Sequence, residues 1–162
     1  MDKTINVLNE LLVDIFNNIL IIEQRALSGE EFKDLSITEI HTIEAIGINE
    51  ARTMSEVAKD LKITVGTLTT AISNLVKKGY VERKRLEEDK RVVLIQLTKK
   101  GKLVYRIHDK FHKDMIKAII KGLSQEQEQI LVYSLKNLND FFKSKYNIEI
   151  NGKNRLNLKL KV

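Results

Sequence analysis

The stretch Gly79–Gly101, GYVERKRLEEDKRVVLIQLTKKG, contains two short runs that favour strands, VERKR and VVLIQL, separated by a polar turn. This pattern predicts strands at about 80–85 and 91–97, paired across a turn at 86–90. Five cations lie along the hairpin and three acids lie at its turn, which makes it a basic hairpin with an acidic tip. These residues are Arg83, Lys84, Arg85, Lys90 and Arg91, and Glu87, Glu88 and Asp89.

The residues before the hairpin predict three short helices. Capping boxes at Ser36–Glu39 and Thr53–Glu56 mark the starts of two of them, and Thr64 can cap the third, which ends at Gly79. The second and third helices are separated by a tight turn, as in a helix-turn-helix. The third helix is expected to bury Leu68, Ile72 and Leu75. A helix-turn-helix followed by a basic hairpin predicts a winged helix.

Long helices are predicted on both sides of this unit. Residues 4–26 are apolar on most sides, so a helix there needs extensive cover, and a second subunit can supply it. A helix at about 98–121 ends near Gly122, and a capping box at Ser124–Gln127 begins another. The predicted fold is mainly α with a small β-wing, a winged helix-turn-helix with N- and C-terminal dimerisation helices. Its predicted segments are 1–35 (dimerisation helix), 36–98 (DNA-binding domain), 99–145 (linker and dimerisation helices) and 146–162 (a tail that is either a strand or frayed).

The charge distribution favours a nucleic-acid partner. The net charge is +6, yet residues 51–110 contain 15 Lys and Arg against 7 Asp and Glu, leaving 13 against 15 in the rest. A localised basic block is typical of proteins that bind a phosphate backbone, although a solvated lysine-rich surface gives the same count.

The residue inventory excludes several other classes. The chain has no Cys, so it has no disulfide framework and no cysteine-based zinc site, which fits a cytoplasmic protein. No apolar run approaches the roughly 20 residues needed to span a bilayer, so no membrane partner is expected. The motifs G-x-x-x-x-G-K and G-x-S-x-G are absent, and we expect no enzymatic activity and no cofactor.

The predicted third helix and the hairpin supply the candidate DNA contacts. Small hydrogen-bonding side chains suit base edges and phosphates, and no Arg lies on the exposed helix face, so we expect modest direct readout and an AT-rich or shape-dependent site. The alternative is that this is an ordinary amphipathic helix whose exposed residues are small and have no role in DNA binding. Asp89 is expected to orient Arg91. The candidates on the helix are Thr64, Gly66, Thr67, Thr69, Thr70, Ser73, Asn74 and Lys77; those on the wing are Arg83, Lys84, Arg85, Asp89, Lys90 and Arg91.

The segment DKRVVLIQLTKKG resembles the D-x-R…LT-x-x-G signature of the MarR family of winged-helix regulators. The segment LTTAISNLVKKGYVERKR resembles that family's recognition helix and wing entry. Over roughly residues 5–142 the chain is most similar to the FabT-type repressors of fatty-acid synthesis genes. The tail 146–162 departs from the family pattern.

The resemblance implies a homodimer that places two lobes in successive major grooves of a pseudo-palindrome. It also implies an effector, a long acyl chain on acyl carrier protein, bound between the first helix and the helix after the wing. The rival readings are a MarR-type regulator of phenolic or drug-like compounds and a non-specific architectural protein. Candidate acyl-chain contacts, which are equally explained as core or dimer interface, are Ile15, Ile19, Ile22, Val104, Ile107, Phe111 and Met115. Candidate docking residues for the acidic carrier protein are Arg106, Lys110, Lys113 and Lys117.

His108 and His112 are four residues apart on one predicted helix. Such a pair can bind a metal if a third ligand converges on it, but Asp109 and Asp114 lie on neighbouring faces and no Cys is available. We therefore assign no metal site and expect packing or hydrogen bonding for the pair. His41 is isolated in the sequence and is expected to be structural.

Overall fold

The structure, a computed structural model, describes residues 2–26, 32–85 and 92–145. The chain divides into two compact units, residues 1–113 and 114–162. In chain order the elements are helix α1 (Asp2–Ala26), α2 (Ile37–Ile46), strand β1 (Arg52–Thr53), α3 (Met54–Leu61), α4 (Val65–Lys77), β2 (Val81–Arg85), β3 (Val93–Leu97), α5 (Lys99–Ile120) and α6 (Gln125–Lys145). The predicted mainly helical winged-helix fold is confirmed. The predicted tail, 146–162, lies outside the described residues, and the predicted domain boundaries stay predictions.

Side-chain caps set the starts of the helices, as predicted. At α2 the Ser36 amide donates to Glu39 Oε2 over 2.9 Å, and the Glu39 amide donates to Ser36 Oγ over 3.3 Å. Thr53 and Glu56 repeat this exchange at α3, with distances of 2.9 and 3.2 Å. Each reciprocal pair satisfies two backbone groups that the first helical turn leaves without partners. The local sequence therefore determines where α2 and α3 begin.

A three-stranded antiparallel sheet, ordered β1-β3-β2, forms the wing and its base. The predicted hairpin is confirmed, with Val81 opposite Leu97 and Arg83 opposite Ile95. The short strand β1 was not predicted; its Arg52 lies opposite Ile95 on the other edge of β3. Two residues are too few to show an alternating pattern, so no sequence signal was available.

An apolar core holds the helix-turn-helix and the sheet together, and we call residues 32–104 the lobe. Every core residue is at most 6% exposed, and the predicted inward face of α4 is confirmed as part of it. Burying such side chains is the main stabilising term in a domain of this size. The core comprises Phe32, Leu35, Ile40, Ile43, Ile46, Val57, Ala58, Leu68, Ile72, Leu75, Tyr80, Val81, Ile95, Leu97 and Val104.

Helix α1 contrasts with the lobe because its apolar side chains are largely exposed. Leu8 is 54% exposed, Phe16 56% and Leu20 52%. Among the described residues, Lys3–Glu23 is a 21-residue helical segment long and apolar enough to cross a membrane by length and composition alone. The expectation that no apolar run approaches that length is therefore too strict, because Glu10 and Asp14 interrupt the run without removing its apolar character.

The second unit shows the same exposure within itself. No residue of α6 is buried, and Ile130, Tyr133 and Leu135 are 59%, 67% and 55% exposed. The predicted capping box is present at its start, where the Ser124 amide donates to Gln127 Oε1 over 2.8 Å. An amphipathic helix with an uncovered apolar stripe is typical of an interface element.

Candidate nucleic-acid interface

Helix α4 presents a polar face on the surface of the lobe. The turn before it is tight because Lys62 adopts the left-handed conformation, with φ 56°, at the end of α3. Thr64 then caps α4, its Oγ1 accepting from the Thr67 amide over 3.1 Å. With Leu68, Ile72 and Leu75 buried, the residues on the opposite side are exposed. These are Gly66, Thr67, Thr69, Thr70, Asn74 and Lys77, all of them predicted candidates.

Several hydroxyls of α4 are already hydrogen-bonded to the helix itself. Thr69 Oγ1 donates to the Val65 carbonyl over 2.7 Å, and Ser73 Oγ donates to the Thr69 carbonyl over 2.7 Å. Within the described ranges, the side chains of Thr70 and Asn74 make no hydrogen bond to protein. A shallow open groove beside these two residues runs along the start of α2. Thr70 and Asn74 are therefore the members of the predicted set whose hydrogen-bonding groups are available for another molecule.

Arg83 connects the wing to α4. Its Nη2 donates to Ser73 Oγ over 2.8 Å and lies 3.4 Å from the Thr69 carbonyl oxygen. Sequence reasoning placed Arg83 and Ser73 as separate DNA contacts and missed this bond, because ten residues of chain separate them. The bond fixes the position of β2 relative to the exposed face of α4.

Lys84 and Arg85 are exposed at the end of β2 and carry positive charge toward the tip of the wing. Asp89, Lys90 and Arg91, with the predicted pairing of Asp89 and Arg91, lie outside the described residues. Both cations that the structure does describe there are free to approach a phosphate backbone.

The segment Leu97–Gly101 joins the wing to α5 by close backbone contacts. The Thr98 amide donates to the Tyr80 carbonyl over 3.0 Å, and Thr98 Oγ1 donates to the Gly79 carbonyl over 2.7 Å. A Cβ added at Gly101 would lie 2.1 Å from the Tyr80 carbonyl oxygen, a distance that no side chain tolerates. These contacts give the physical reason for the L-T-x-x-G pattern: they place the start of α5 directly against the start of β2.

Lys100 also faces this junction. Its Nζ lies 4.0 Å from the centre of the Tyr80 ring, within the range of a cation–π contact, and donates to the Lys78 carbonyl over 3.4 Å. The Tyr80 hydroxyl in turn donates to Asp34 Oδ1 over 2.7 Å. Lys100 therefore belongs to the fold of the lobe, while Lys99 beside it is exposed.

A partly buried ion pair joins the start of α2 to the end of α4. Lys78 Nζ lies 2.8 Å from both carboxylate oxygens of Glu39, and it also bonds to the Asp34 carbonyl. Burial by itself would raise the pKa of Glu39, but the hydrogen bonds and charge of Lys78, with the bonds from Ser36, hold it below its usual value. Glu39 therefore caps α2 and fixes α4 at once, and the capping-box pattern indicated only the first role.

The predicted acyl-chain contacts differ in how far each side chain is buried. Val104 is fully buried in the lobe core and Ile107 packs against that core. Ile15 and Ile22 are 50% and 47% exposed on α1, and Ile19 is half-buried. Phe111 is half-buried, and Met115, in the second unit, is half-buried as well. Val104 therefore serves the core, as the alternative reading allowed, and the exposed positions on α1 remain available to a ligand or a second subunit.

The predicted docking cations lie on α5. Arg106, Lys110, Lys113 and Lys117 are all exposed. Lys113 Nζ lies 2.6 Å from Asp109 Oδ2, and this contact raises the pKa of Lys113. The spacing of these cations, three or four residues apart, places them on one side of the helix.

His41 is not isolated, as the sequence suggested, but joins the predicted pair His108 and His112. The ring centres of His41 and His108 are 5.8 Å apart and those of His108 and His112 are 4.5 Å apart, and Glu23 of α1 is next to all three. Burial lowers the pKa of His108, and the charge of Glu44 partly opposes that effect. Sequence reasoning missed this grouping because Glu23 and His108 are far apart in the chain and no local pattern links them.

Comparisons with known proteins support the architecture. A profile of the MarR family matches residues 33–92. The chain is 27% identical over 106 residues to the regulator PchR of Bacillus subtilis, covering 64% of this chain and 63% of PchR, so it spans less than two thirds of that relative. It is 30% identical over 135 residues to the multiple antibiotic resistance protein MarR of Escherichia coli, covering 76% of this chain and 94% of that protein.

A solved structure of Streptococcus pneumoniae FabT in complex with DNA is similar over most of the chain. The identity is 48%, with 86% of this chain and 98% of that chain covered and a TM-score of 0.79. The similarity thus includes the long helices as well as the lobe.

Proposed function

This chain belongs to the MarR family of helix-turn-helix transcriptional regulators, and on that premise we propose that it is a homodimeric repressor of fatty-acid synthesis genes, with a long acyl chain on acyl carrier protein as its corepressor. The observation that carries the proposal is the 48% identity to S. pneumoniae FabT, which extends over 98% of that chain. DNA-binding regulators of this family are not enzymes, and the cytoplasm is the expected compartment.

The surface of α4 supports binding in a major groove. That groove admits one helix, and Thr70 and Asn74 offer the hydroxyl and amide groups that bond to base edges or phosphates. The cations Lys84 and Arg85 extend the basic surface along β2. Since α4 has no Arg to bind guanine in a bidentate manner, we expect affinity to come chiefly from phosphate and wing contacts, with a preference for AT-rich pseudo-palindromes.

The exposed apolar surface of α1 supports the homodimer. Leu8, Leu11 and Phe16 are each more than half exposed in the single chain. Surface of this kind is costly in water and is normally covered by another subunit or a ligand. Two copies of a DNA-binding lobe also match the two half-sites of a pseudo-palindrome.

Exposed apolar and basic residues also support the proposal that acyl-loaded carrier protein is the effector. Ile15 and Ile22 provide apolar surface on α1 for an acyl chain, and the cations of α5 suit an acidic carrier protein. An acyl-carrier complex that binds the DNA-competent arrangement of the dimer more tightly than the other would raise the affinity for DNA.

Fluorescence polarisation with a duplex from the chain's own upstream region tests the proposal. Acyl carrier protein loaded with a long acyl chain should raise the affinity for DNA about tenfold, whereas the same carrier protein without an acyl chain should not. An effect of a phenolic compound in place of acyl carrier protein would favour the rival MarR-type reading. Equal affinity for unrelated duplexes would leave only an architectural role.

A matched pair of variants tests the role of α4. Thr70→Ala removes an available hydroxyl, whereas Thr69→Ala removes one that is bonded to the Val65 carbonyl. We expect Thr70→Ala to weaken specific binding by about 1 kcal/mol, roughly fivefold, and Thr69→Ala to change it less. A larger loss for Thr69→Ala than for Thr70→Ala would contradict this orientation of the helix.

A further inference from the structure

All three histidines of the chain converge on one buried carboxylate. The chain has three His in 162 residues, and they come from two elements, His41 from α2 and His108 and His112 from α5. Glu23 of α1, only 4% exposed, lies among them. We call Glu23, His41, His108 and His112 the histidine cluster. Three separate helices thus supply one oxygen-donor and three nitrogen-donor side chains at a single point of the first unit.

The contacts of Glu23 within the histidine cluster are close in length to the edges of a coordination tetrahedron. Glu23 Oε1 lies 3.0 Å from His112 Nε2 and 3.7 Å from His108 Nε2, and Glu23 Oε2 lies 3.5 Å from His41 Nε2. His108 Nε2 and His112 Nε2 are 3.2 Å apart. Ligands at about 2.0–2.2 Å from a tetrahedral Zn²⁺ are themselves separated by about 3.3–3.6 Å. One donor atom from each of Glu23, His41 and His108 lies within 4.8 Å of the other two. His112 adds a fourth donor through its contacts with Glu23 and His108, so an ion can gather these side chains with small movements.

Hydrogen bonding accounts for this arrangement less completely. The Nε2 atom of His112 faces both the carboxylate of Glu23 and the Nε2 atom of His108 at 3.2 Å or less. A ring nitrogen carries either a hydrogen or a lone pair, so one of these two contacts lacks a well-directed hydrogen bond in either tautomer. A cation placed among the donors satisfies every lone pair at once.

The surroundings also resemble those of metal-binding histidines. Such a histidine commonly presents its other ring nitrogen to a carboxylate, which orients the ring. Here His108 Nδ1 lies 3.8 Å from Glu44 Oε2. A small cavity of about 90 Å³ borders His108 and His112 and gives the cluster a route to solvent.

We propose that Glu23, His41, His108 and His112 form a binding site for a single divalent transition-metal ion, with Zn²⁺ the best match. Three imidazole nitrogens and one carboxylate suit Zn²⁺ in tetrahedral geometry, whereas Mg²⁺ and Ca²⁺ prefer oxygen ligands. A bound ion ties α1 to α2 and to the first part of α5. In the MarR-type regulator proposed above, on which this consequence rests, the metal fixes the end of the N-terminal helix against the lobe and thereby favours one arrangement of the DNA-binding surfaces.

Metal titration of the chain produced without a polyhistidine tag tests the site, since such a tag would add histidines. We expect one Zn²⁺ per chain by elemental analysis after dialysis, and a visible spectrum of tetrahedral Co²⁺ when Co²⁺ replaces it. His41→Gln and His112→Gln alter side chains that are 41% and 35% exposed, so both variants should fold. Each should weaken Zn²⁺ binding by about a hundredfold or more, because losing even an outer-shell partner costs ~10–100-fold.

The control variant is Asp109→Asn, which changes a carboxylate on the same helix that pairs with Lys113 instead. It should bind Zn²⁺ like the unaltered chain. Absence of stoichiometric binding, or equal loss in Asp109→Asn and His112→Gln, would overturn the site. These readouts need no DNA, so they are independent of the proposed function. Unchanged DNA affinity on adding Zn²⁺ to a chain that binds both would overturn the regulatory consequence alone.

Discussion

The lobe and helix α1 are both rich in apolar residues, but only the lobe buries them. Its core side chains are at most 6% exposed, whereas Leu8, Ile15 and Leu20 of α1 are about half exposed. The lobe therefore contains the contacts that specify its own fold. The apolar surface of α1 is left uncovered in the single chain, as the proposed homodimer requires. Residues 32–104 therefore contain the contacts that stabilise their own fold, whereas the proposed assembly depends on the exposed apolar surface of the long helices.

The largest expected effect comes from placing a charge on α1. Leu8→Glu should raise the dimer dissociation constant about a thousandfold, because each of the two subunits loses ~2 kcal/mol of apolar burial. Analytical ultracentrifugation across protein concentrations measures the constant. The thermal unfolding of the lobe should change little.

Asn9→Glu provides the matched control for Leu8→Glu. It adds the same charge at the neighbouring position of α1, where the original residue is polar and exposed. If both variants dissociate equally, net charge rather than the apolar surface governs assembly. If the unaltered chain is a monomer at every concentration, α1 does not form a dimer interface. The exposed apolar surface that distinguishes α1 from the lobe would then need a different explanation.

The next largest effect should come from within the lobe. Gly101→Ala places a Cβ 2.1 Å from the Tyr80 carbonyl oxygen, so α5 and β2 must separate. We expect a loss of about 3 kcal/mol in the free energy of unfolding, measured by urea denaturation.

Gly66→Ala is the control for Gly101→Ala. Its nearest heavy atom is Thr64 Oγ1 at 3.7 Å, an ordinary contact. Since alanine favours the helical conformation over glycine, this change should stabilise the lobe by about 0.5–1 kcal/mol. Two similar losses would show that helix geometry, rather than the close contact at Gly101, limits both positions.

The smallest effect concerns the ion pair between Glu39 and Lys78. The folded state holds the pKa of Glu39 below its usual value, so the carboxylate stabilises the fold above the unfolded pKa of about 4.3, and this contribution is lost as pH falls through the folded pKa. Glu39→Gln should cost about 1 kcal/mol at pH ~7, and the difference should shrink as the pH is lowered past about 4.

Urea unfolding at several pH values measures that difference. Glu50→Gln, which removes an exposed carboxylate from the same lobe, is the control and should leave the stability close to that of the unaltered chain. If the difference in the free energy of unfolding between the unaltered chain and Glu39→Gln increases at low pH, the direction given for the pKa shift of Glu39 is wrong.

Much of the lobe could be predicted from sequence because its signals are local. The capping residues Ser36, Thr53 and Thr64 each lie within three residues of their partners, and all three mark helix starts as expected. The wing strands were predicted from two short runs beside a turn. Strand β1, by contrast, is too short to show a period, and it forms only because β3 offers a free edge.

The candidate site was less predictable because its details depend on tertiary contacts. The exposed face of α4 follows from helical periodicity, yet periodicity does not reveal that Ser73 is bonded to Arg83 or that Thr69 is bonded to the helix backbone. Glu23 and His41 likewise meet only when α1 packs against α2. Pairs within one turn are visible in a sequence, whereas pairs across elements require the relative positions of those elements.

The bond between Arg83 and Ser73 has a practical consequence for redesigning operator preference. If α4 is transplanted into another scaffold without β2, the Ser73 hydroxyl loses its hydrogen bond from the Arg83 guanidinium. The wing of the recipient would then settle at a different angle. Anyone exchanging binding specificity among such regulators should therefore move Thr64–Arg85 as one cassette, so that the helix and the strand that fixes it arrive together.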